Sequence, residues 1–359
     1  MSPSPTPIPT PVPGENARAA GRRGERAAPG PSALYLEVTN RCNLECRTCI
    51  RTYRELEPPA DLRAADVESI LAQMDSGPER AVLQGIGEPL LNPEIFEIVR
   101  LLRARGARVA FNTNGTLLDD VRRRRIVAEG PDELRVSLDS ATAEAFERVR
   151  AAPPRVFEKI LDGVRRLAVE ARAAGGRPSL SLWIIGVREN ESDLVPIVRL
   201  ARDLGVPEVY LHRLVFQEDD TAFGIARRDE SLFTETNGRV DAVVAEAARV
   251  AAELGIAFKG SGAAAPTEVF ERRSRPGEMP WSRCRRPWTL MYVTANGNVL
   301  PCCIAPFSTR DYRGIVLGNV FREPLADIWN GERYRAFRRR LLSAAPEECC
   351  SGCGVKWSL

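Results

Sequence analysis

Apolar residues along this chain recur in two rhythms that alternate. Short β-type runs occur at Leu34 to Val38, Arg80 to Gln84, Arg108 to Asn112, Glu133 to Leu138, Ser179 to Ile185 and Glu208 to His212, each closed by polar or glycine residues. Between them lie stretches with helical spacing: Ala64 to Met74, Pro93 to Arg105, Leu117 to Ala128, Ala143 to Arg150 with Phe157 to Ala173, and Glu191 to Leu204. Strands this apolar, interleaved with helices, predict an α/β fold in which a parallel sheet is covered by helices. Six βα units make a partial (β/α)6 TIM-like barrel rather than the closed barrel of eight. On such sheets ligand chemistry gathers at the carboxyl ends of the strands.

Polar residues fall where that rule asks. The second strand runs into Gln84-Gly85-Ile86-Gly87-Glu88-Pro89, the third into Asn112-Thr113-Asn114-Gly115, the fourth into Ser137-Leu138-Asp139-Ser140, and the fifth into Gly186-Val187-Arg188-Glu189-Asn190. Glycines at 85 and 87 let the backbone approach a ligand closely, and carbonyls there can accept from an ammonium group. Taken alone, the Gly-x-Gly pattern reads equally as a tight βα turn.

The flanks differ from this core. Residues 1–30 are Pro, Ser, Ala, Gly and Arg with almost no large apolar side chains, which predicts a disordered tail. The barrel is expected over 31–258, a linker over 259–280 and a small cysteine-rich domain over 281–359, after a helical stretch from Gly238 to Leu254. A net charge of +3 is close to balance, and the run Arg122 to Arg125 reads as a solvated helix face, so no nucleic-acid partner is indicated. No apolar leader region or membrane-length apolar stretch is visible, which predicts no membrane partner and a cytoplasmic, reducing setting.

Nine cysteines then change the picture. Cys42, Cys46 and Cys49 follow the first strand with C-x3-C-x2-C spacing, which offers three thiolates and leaves a fourth coordination position open. Structural zinc normally closes with four ligands in paired spacing, yet the next cysteine is Cys284 and His212 is the sole histidine. An iron-sulfur cluster suits the spacing better than zinc, with unrelated thiols the third reading. A second group comprises Cys284, Cys302, Cys303, Cys349, Cys350 and Cys353. Asn296-Gly297 marks a hairpin over Met291 to Pro301 that brings Cys302 towards Cys284, and Pro324 to Leu342 is expected as one amphipathic helix. Because consecutive side chains of an extended segment point to opposite sides, one member of each adjacent pair should ligate, and Cys302 and Cys350 are chosen with Cys284 and Cys353. A zinc knuckle is the alternative for this group.

At these residues the chain resembles the radical S-adenosylmethionine (radical SAM) enzymes. The Cys42, Cys46 and Cys49 loop is similar to that family's cluster loop, although Thr48 stands where most members carry an aromatic residue that packs near the adenine. Gly85, Gly87 and Glu88 resemble the glycine-glycine-glutamate-proline motif, and the auxiliary cysteines with Gly318 to Asn330 resemble the SPASM domain and its shortened relative Twitch. The resemblance implies a 4Fe-4S cluster on Cys42, Cys46 and Cys49 whose fourth iron binds S-adenosylmethionine, and a second, auxiliary 4Fe-4S cluster on Cys284, Cys302, Cys350 and Cys353. It implies that Gly85, Gly87 and Glu88 hold the methionyl amine, that Ser137 and Asp139 reach the ribose or methionyl carboxylate, and that Asn114 and Asn190 lie in the same pocket. An external flavodoxin- or ferredoxin-like reductant would supply one electron, and a 5'-deoxyadenosyl radical would then take hydrogen from the substrate. Maturation of a peptide or protein is the preferred outcome, with oxidation of a small hydroxylated metabolite the runner-up. A non-catalytic iron-sulfur or zinc electron carrier is the reading from another class. No catalytic acid or base is assigned: Tyr210, Arg213 and Glu218 lie near the end of the sixth strand, and His212 reads more readily as a core histidine than as a catalyst.

Overall fold

The computed structural model describes residues 23–215, 224, 226–232, 238–260 and 279–353. Its parallel core runs β1 (Ala33–Leu36), α1 (Ala64–Ala72), β2 (Arg80–Leu83), α2 (Ile95–Ala104), β3 (Arg108–Thr113), α3 (Asp120–Glu129), β4 (Glu133–Ser137), α4 (Ala143–Arg150), α5 (Pro154–Ala173), β5 (Ser179–Gly186), α6 (Leu194–Leu204) and β6 (Glu208–Arg213). Local chemistry explains the boundaries. Asp119 caps α3 by accepting from the Arg122 N–H, Thr142 caps α4 through the Ala145 N–H, and Gly205 ends α6 with φ of 73°. Helix α6 buries Leu194, Ile197, Val198, Ala201 and Leu204, one apolar stripe laid on the sheet. Each large side chain so covered contributes about 1.5–3 kcal/mol.

The expected strands are all present, and one more follows. Helix α7 (Gly238–Leu254) leads into β7 (Ala257–Gly260), which pairs parallel to β6. Lys259 and Gly260 therefore belong to the sheet rather than to the expected linker, whose residues 261–278 lie outside the described residues. Its run Ala257-Phe258-Lys259-Gly260 carries a single large apolar side chain and is not buried, so no apolar strand pattern marks it.

The cysteine-rich segment is not a separate appendage. A single helical turn, α8 (Arg286–Thr289), enters β8 (Leu290–Val293), which pairs parallel to β1 from Ala33↔Leu290 to Leu36↔Val293. The predicted hairpin returns as β9 (Asn298–Leu300), and β10 (Gly318–Asn319) finishes one ten-stranded open sheet ordered β10-β9-β8-β1-β2-β3-β4-β5-β6-β7. The helix expected over Pro324 to Leu342 is instead two, α9 (Leu325–Trp329) and α10 (Glu332–Leu341), followed by α11 (Glu348–Ser351). Gly331 lies at the break, where a Cβ would stand 2.1 Å from the Asp327 carbonyl oxygen.

The tail also differs from expectation at its inner end. Residues 1–22 lie outside the described residues, but residues 23–30 pack on α8 and α9: Trp329 Nε1 donates to the Ala28 carbonyl at 2.8 Å and Trp288 Nε1 to the Gly24 carbonyl at 2.7 Å. Composition misjudges this segment because its backbone carbonyls and the charged ends of Arg23 and Glu25, rather than large apolar side chains, make the contacts.

Candidate functional site

Strand direction places the two cysteine groups. The loop carrying Cys42, Cys46 and Cys49 leaves the carboxyl end of β1. Cys284 precedes β8, which runs parallel to β1, and Cys302 follows β9, which runs antiparallel to β8. Both therefore lie at the amino end of the barrel, and the lumen separates the two groups.

The first loop is tied down at several points. Thr52 Oγ1 donates to the Cys46 carbonyl at 3.0 Å, Asn43 Nδ2 to Thr116 Oγ1 at 2.7 Å, and the Glu88 N–H to the Arg41 carbonyl at 2.9 Å. Burial pushes the Cys42 thiol up and the Cys49 thiol up to about 11, with Cys46 acting electrostatically on both. Without metal the Cys42 and Cys49 thiols stay protonated, and a cationic centre would favour the thiolates. Two donors already face the sulfurs. Asn114 Nδ2 is 3.8 Å from Cys42 Sγ and Arg150 Nη1 is 3.4 Å from Cys46 Sγ. Three soft ligands with aligned N–H groups fit an iron-sulfur cluster.

The residues expected around S-adenosylmethionine divide into two kinds. Gly85 and Gly87 form the turn after β2, and both are sterically required: a Cβ on Gly85 would meet the Glu37 carboxylate at 2.3 Å, and one on Gly87 the Thr39 carbonyl oxygen at 2.1 Å. Ser137 stands half-buried on the strand face that carries Arg135, the face turned towards the lumen. Glu88, Asp139 and Asn190 are instead buried struts. Glu88 accepts from the Leu90 N–H, Thr113 Oγ1 and the Asn114 N–H at 3.1, 2.8 and 2.7 Å. Asn190 donates to the Asp139 and Ile185 carbonyls and accepts from the Val187 N–H, while Asp139, at φ of 64°, accepts from the Ile185 N–H. These three hold the strand ends in register.

In the second group Cys302 feels Cys284, Cys303 and Cys350, and its thiol is pushed well up, chiefly by burial. The alternation argument does not hold for the last pair, because Cys349 and Cys350 lie on α11 rather than on an extended segment, and their sulfurs are 3.9 Å apart. The Cys353 N–H donates to the Cys350 carbonyl, which keeps it in the same turn. Among the described residues no three metal-ligating side chains close round a single ion.

Of the residues weighed as acids or bases, His212 is kept neutral by burial, its pKa pushed down to about 4. Its ring and that of Tyr210, both on β6, lie beside Trp183 on β5, with centroids 5.6 and 4.2 Å away. Arg213 is buried, and Glu218 lies outside the described residues. Sequence reasoning missed Glu37 and Arg150. Glu37 Oε2 accepts from the Ile86 N–H at 2.9 Å and from the Tyr292 hydroxyl at 3.1 Å, joining β1, the glycine turn and β8. Its signal was a lone acid at the end of an apolar strand. Arg150 ends a helix whose inner face also carries Phe146 and Val149, a position where a charge is out of place.

Comparison with known proteins agrees with this architecture. A family model for the Radical SAM superfamily matches residues 36–201, and one described as an iron-sulfur cluster-binding domain, SPASM, matches residues 284–354. The chain is 24% identical over 354 residues to the pre-heme d1 synthase of Dinoroseobacter shibae, covering 91% of this chain and 82% of that one. It is 28% identical over 316 residues to a PqqA peptide cyclase of Streptomyces rochei, covering 87% and 79%. Its fold matches the crystal structure of Streptococcus suis SuiB bound to precursor peptide SuiA with a TM-score of 0.67 at 16% identity, over 93% of this chain and 72% of the other. Among the described residues no helix is long and apolar enough to cross a membrane. The cysteine loop at the carboxyl end of β1, the glycine turn beside it and the matched auxiliary domain identify the chain as a member of the radical SAM superfamily with a SPASM domain, an enzyme that uses S-adenosylmethionine and iron-sulfur clusters.

Proposed function

We propose that this enzyme matures a peptide or protein by abstracting a hydrogen atom from one of its side chains. When bound and reduced by one electron, a cluster of this family cleaves S-adenosylmethionine to methionine and a 5'-deoxyadenosyl radical that takes hydrogen from the substrate. In this reading Cys42, Cys46 and Cys49 hold the first cluster, and Asn114 and Arg150 donate to its sulfurs. The Gly85 and Gly87 backbone and Ser137 face S-adenosylmethionine, while Glu88, Asp139 and Asn190 keep the pocket walls in place. Cys284, Cys302, Cys350 and Cys353 hold the auxiliary cluster. A flavodoxin- or ferredoxin-like donor in a reducing cytoplasm supplies the electron.

The observation that carries the reading is the placement of the two cysteine groups at opposite ends of one lumen. A substrate held between them has the site of hydrogen abstraction on one side and an electron acceptor on the other. Trp183 and Tyr210 give that space a stacked aromatic wall, and a primary radical requires that substrate rather than water fill it. The likeness to a peptide cyclase supports a peptide as the occupant.

The test is anaerobic reconstitution followed by reduction with S-adenosylmethionine present. The wild type should yield 5'-deoxyadenosine and Cys46→Ala none. Deuterated precursor peptides encoded beside the gene should pass label into 5'-deoxyadenosine. Absence of 5'-deoxyadenosine from the wild type would return the chain to the electron-carrier reading. Label arriving solely from small hydroxylated metabolites would replace the maturase with a dehydrogenase.

A further inference from the structure

Positive charge is in surplus at the amino end of the lumen. Glu133 on β4 accepts from Arg80 Nη2 at 2.9 Å, Arg108 Nε at 2.8 Å and Arg135 Nη2 at 3.1 Å, so three guanidinium groups share one carboxylate. Two strands away Lys259 and Glu208 neutralise each other at 2.5 Å and cancel none of that excess. Arg286, in the turn before β8, adds another cation that has neither a carboxylate nor a hydrogen-bond partner among the described residues. It is close enough to Tyr35 on β1 and Tyr210 on β6 to act on both electrostatically, and it also faces Cys284, Cys302 and Cys303.

Arg108 is exposed, but Arg80 and Arg135 are buried, and unbalanced guanidinium groups away from bulk water cost several kcal/mol unless an anion joins them. The auxiliary group shares the charge of Arg286, but Arg135 stands on the barrel wall apart from it. Its guanidinium lies 4.7 Å over the Trp183 ring, and Trp183 stacks on Tyr210 with ring planes 13° apart. That platform holds the planar fork in one orientation.

We propose that this half of the lumen is a carboxylate subsite in which Arg135 and Arg286 grip an acidic side chain of the substrate peptide while the Trp183 and Tyr210 rings pack against its apolar neighbour. The inference rests on the maturase reading and names the chemistry of its substrate. It orients the peptide with its acidic residue towards the auxiliary cysteines and its reacting carbon towards Ser137 and the Cys42 to Cys49 loop.

The test uses reconstituted full-length enzyme with S-adenosylmethionine and three probes: acetyl-Glu-Phe-Glu-amide, its acetyl-Gln-Phe-Gln-amide counterpart, and glutarate, with binding followed by calorimetry and by Trp183 fluorescence. The acidic peptide should bind at least about tenfold more tightly than the amide version, and Arg135→Gln and Arg286→Gln should each weaken it about tenfold or more. Arg135→Lys and Arg286→Lys should recover part of the loss, and Arg177→Gln, which removes a cation outside the lumen, should change nothing. Iron content of each variant identifies loss through failed assembly, and a variant that loses its iron is replaced in the comparison by its lysine counterpart. Equal binding of both peptides, no detectable binding of the acidic one, or indifference to both arginine variants would overturn the subsite. Glutarate binding as tightly as the acidic peptide, with the same arginine dependence, would keep the subsite and sink the peptide reading instead.

Discussion

Arg150 joins the first cysteine loop to the end of β4: its Nη1 lies 3.4 Å from Cys46 Sγ and its Nη2 2.6 Å from Asp139 Oδ2. All three groups are buried, so the guanidinium is both a counter-charge for a thiolate and the partner of a carboxylate raised by burial. A cation beside a cluster stabilises the added electron. Arg150→Gln should therefore lower the reduction potential of the first cluster by on the order of 60 mV, about tenfold in its one-electron equilibrium. A redox titration followed by electron paramagnetic resonance reads this directly, and an unchanged potential would remove Arg150 from the cluster's environment. The same variant should cost about 3–5 kcal/mol of stability by stranding Asp139, and adding Asp139→Asn should return most of it.

Glu37 makes stability depend on pH. Burial raises its carboxyl from an ordinary 4.5 to about 7, so between those values the folded chain keeps a proton that the unfolded chain has released. Its contribution is intact below the ordinary value, falls as pH rises through the window and levels off above about 7, a total of about 3 kcal/mol. Glu37→Gln should flatten this slope and stabilise the chain at alkaline pH. Denaturant midpoints of metal-free protein across the window measure it, and parallel curves for both proteins would contradict it.

Gly87 has no room to accept a side chain. A Cβ there would meet two backbone carbonyl oxygens, of Thr39 at 2.1 Å and Arg41 at 2.7 Å, and neither can swing aside as a flexible side chain would. Gly87→Ala should push the cysteine loop away from the turn, costing about 1–3 kcal/mol and abolishing formation of 5'-deoxyadenosine. Wild-type turnover in this variant would show that the loop tolerates the shift.

Deleting residues 1–30 should destabilise the opposite end of the chain. Trp329 Nε1, Trp288 Nε1 and Arg338 Nη1 would lose the carbonyls of Ala28, Gly24 and Glu25, at 2.8, 2.7 and 3.2 Å. Arg338 Nη1 keeps Asn330 Oδ1 at 3.1 Å, but each indole donor left unmatched costs about 1–3 kcal/mol. The melting temperature should fall by several degrees, and an unchanged melt would make the segment dispensable.

Much of this architecture could be read from periodicity, because β1 to β6 and their helices bury apolar stripes that local spacing exposes. The cysteine loop and glycine turn were legible for the same reason, each being a short contiguous pattern. What escaped depends on pairings between distant residues. The junction of β8 with β1 and the contact of Trp329 with Ala28 join opposite ends of the chain, and no window contains both partners. The arginine run at 122–125 shows the other difficulty. It reads as a solvated face, yet Arg123 is buried between Asp120 and Glu170 at 2.7 and 3.0 Å, since charge type alone does not reveal which way a helix is turned.

The ladder between β1 and β8 imposes an order on assembly. The opening strand emerges first from the ribosome, and until the last quarter of the chain arrives one of its edges offers bare amides and carbonyls to any passing strand. That late closure also fixes the stem of the thiol-bearing loop, so a firm seat for iron depends on the arrival of β8. A prematurely truncated product would thus present a sticky edge and a slack loop together, which marks it for aggregation before it could ever generate a stray radical.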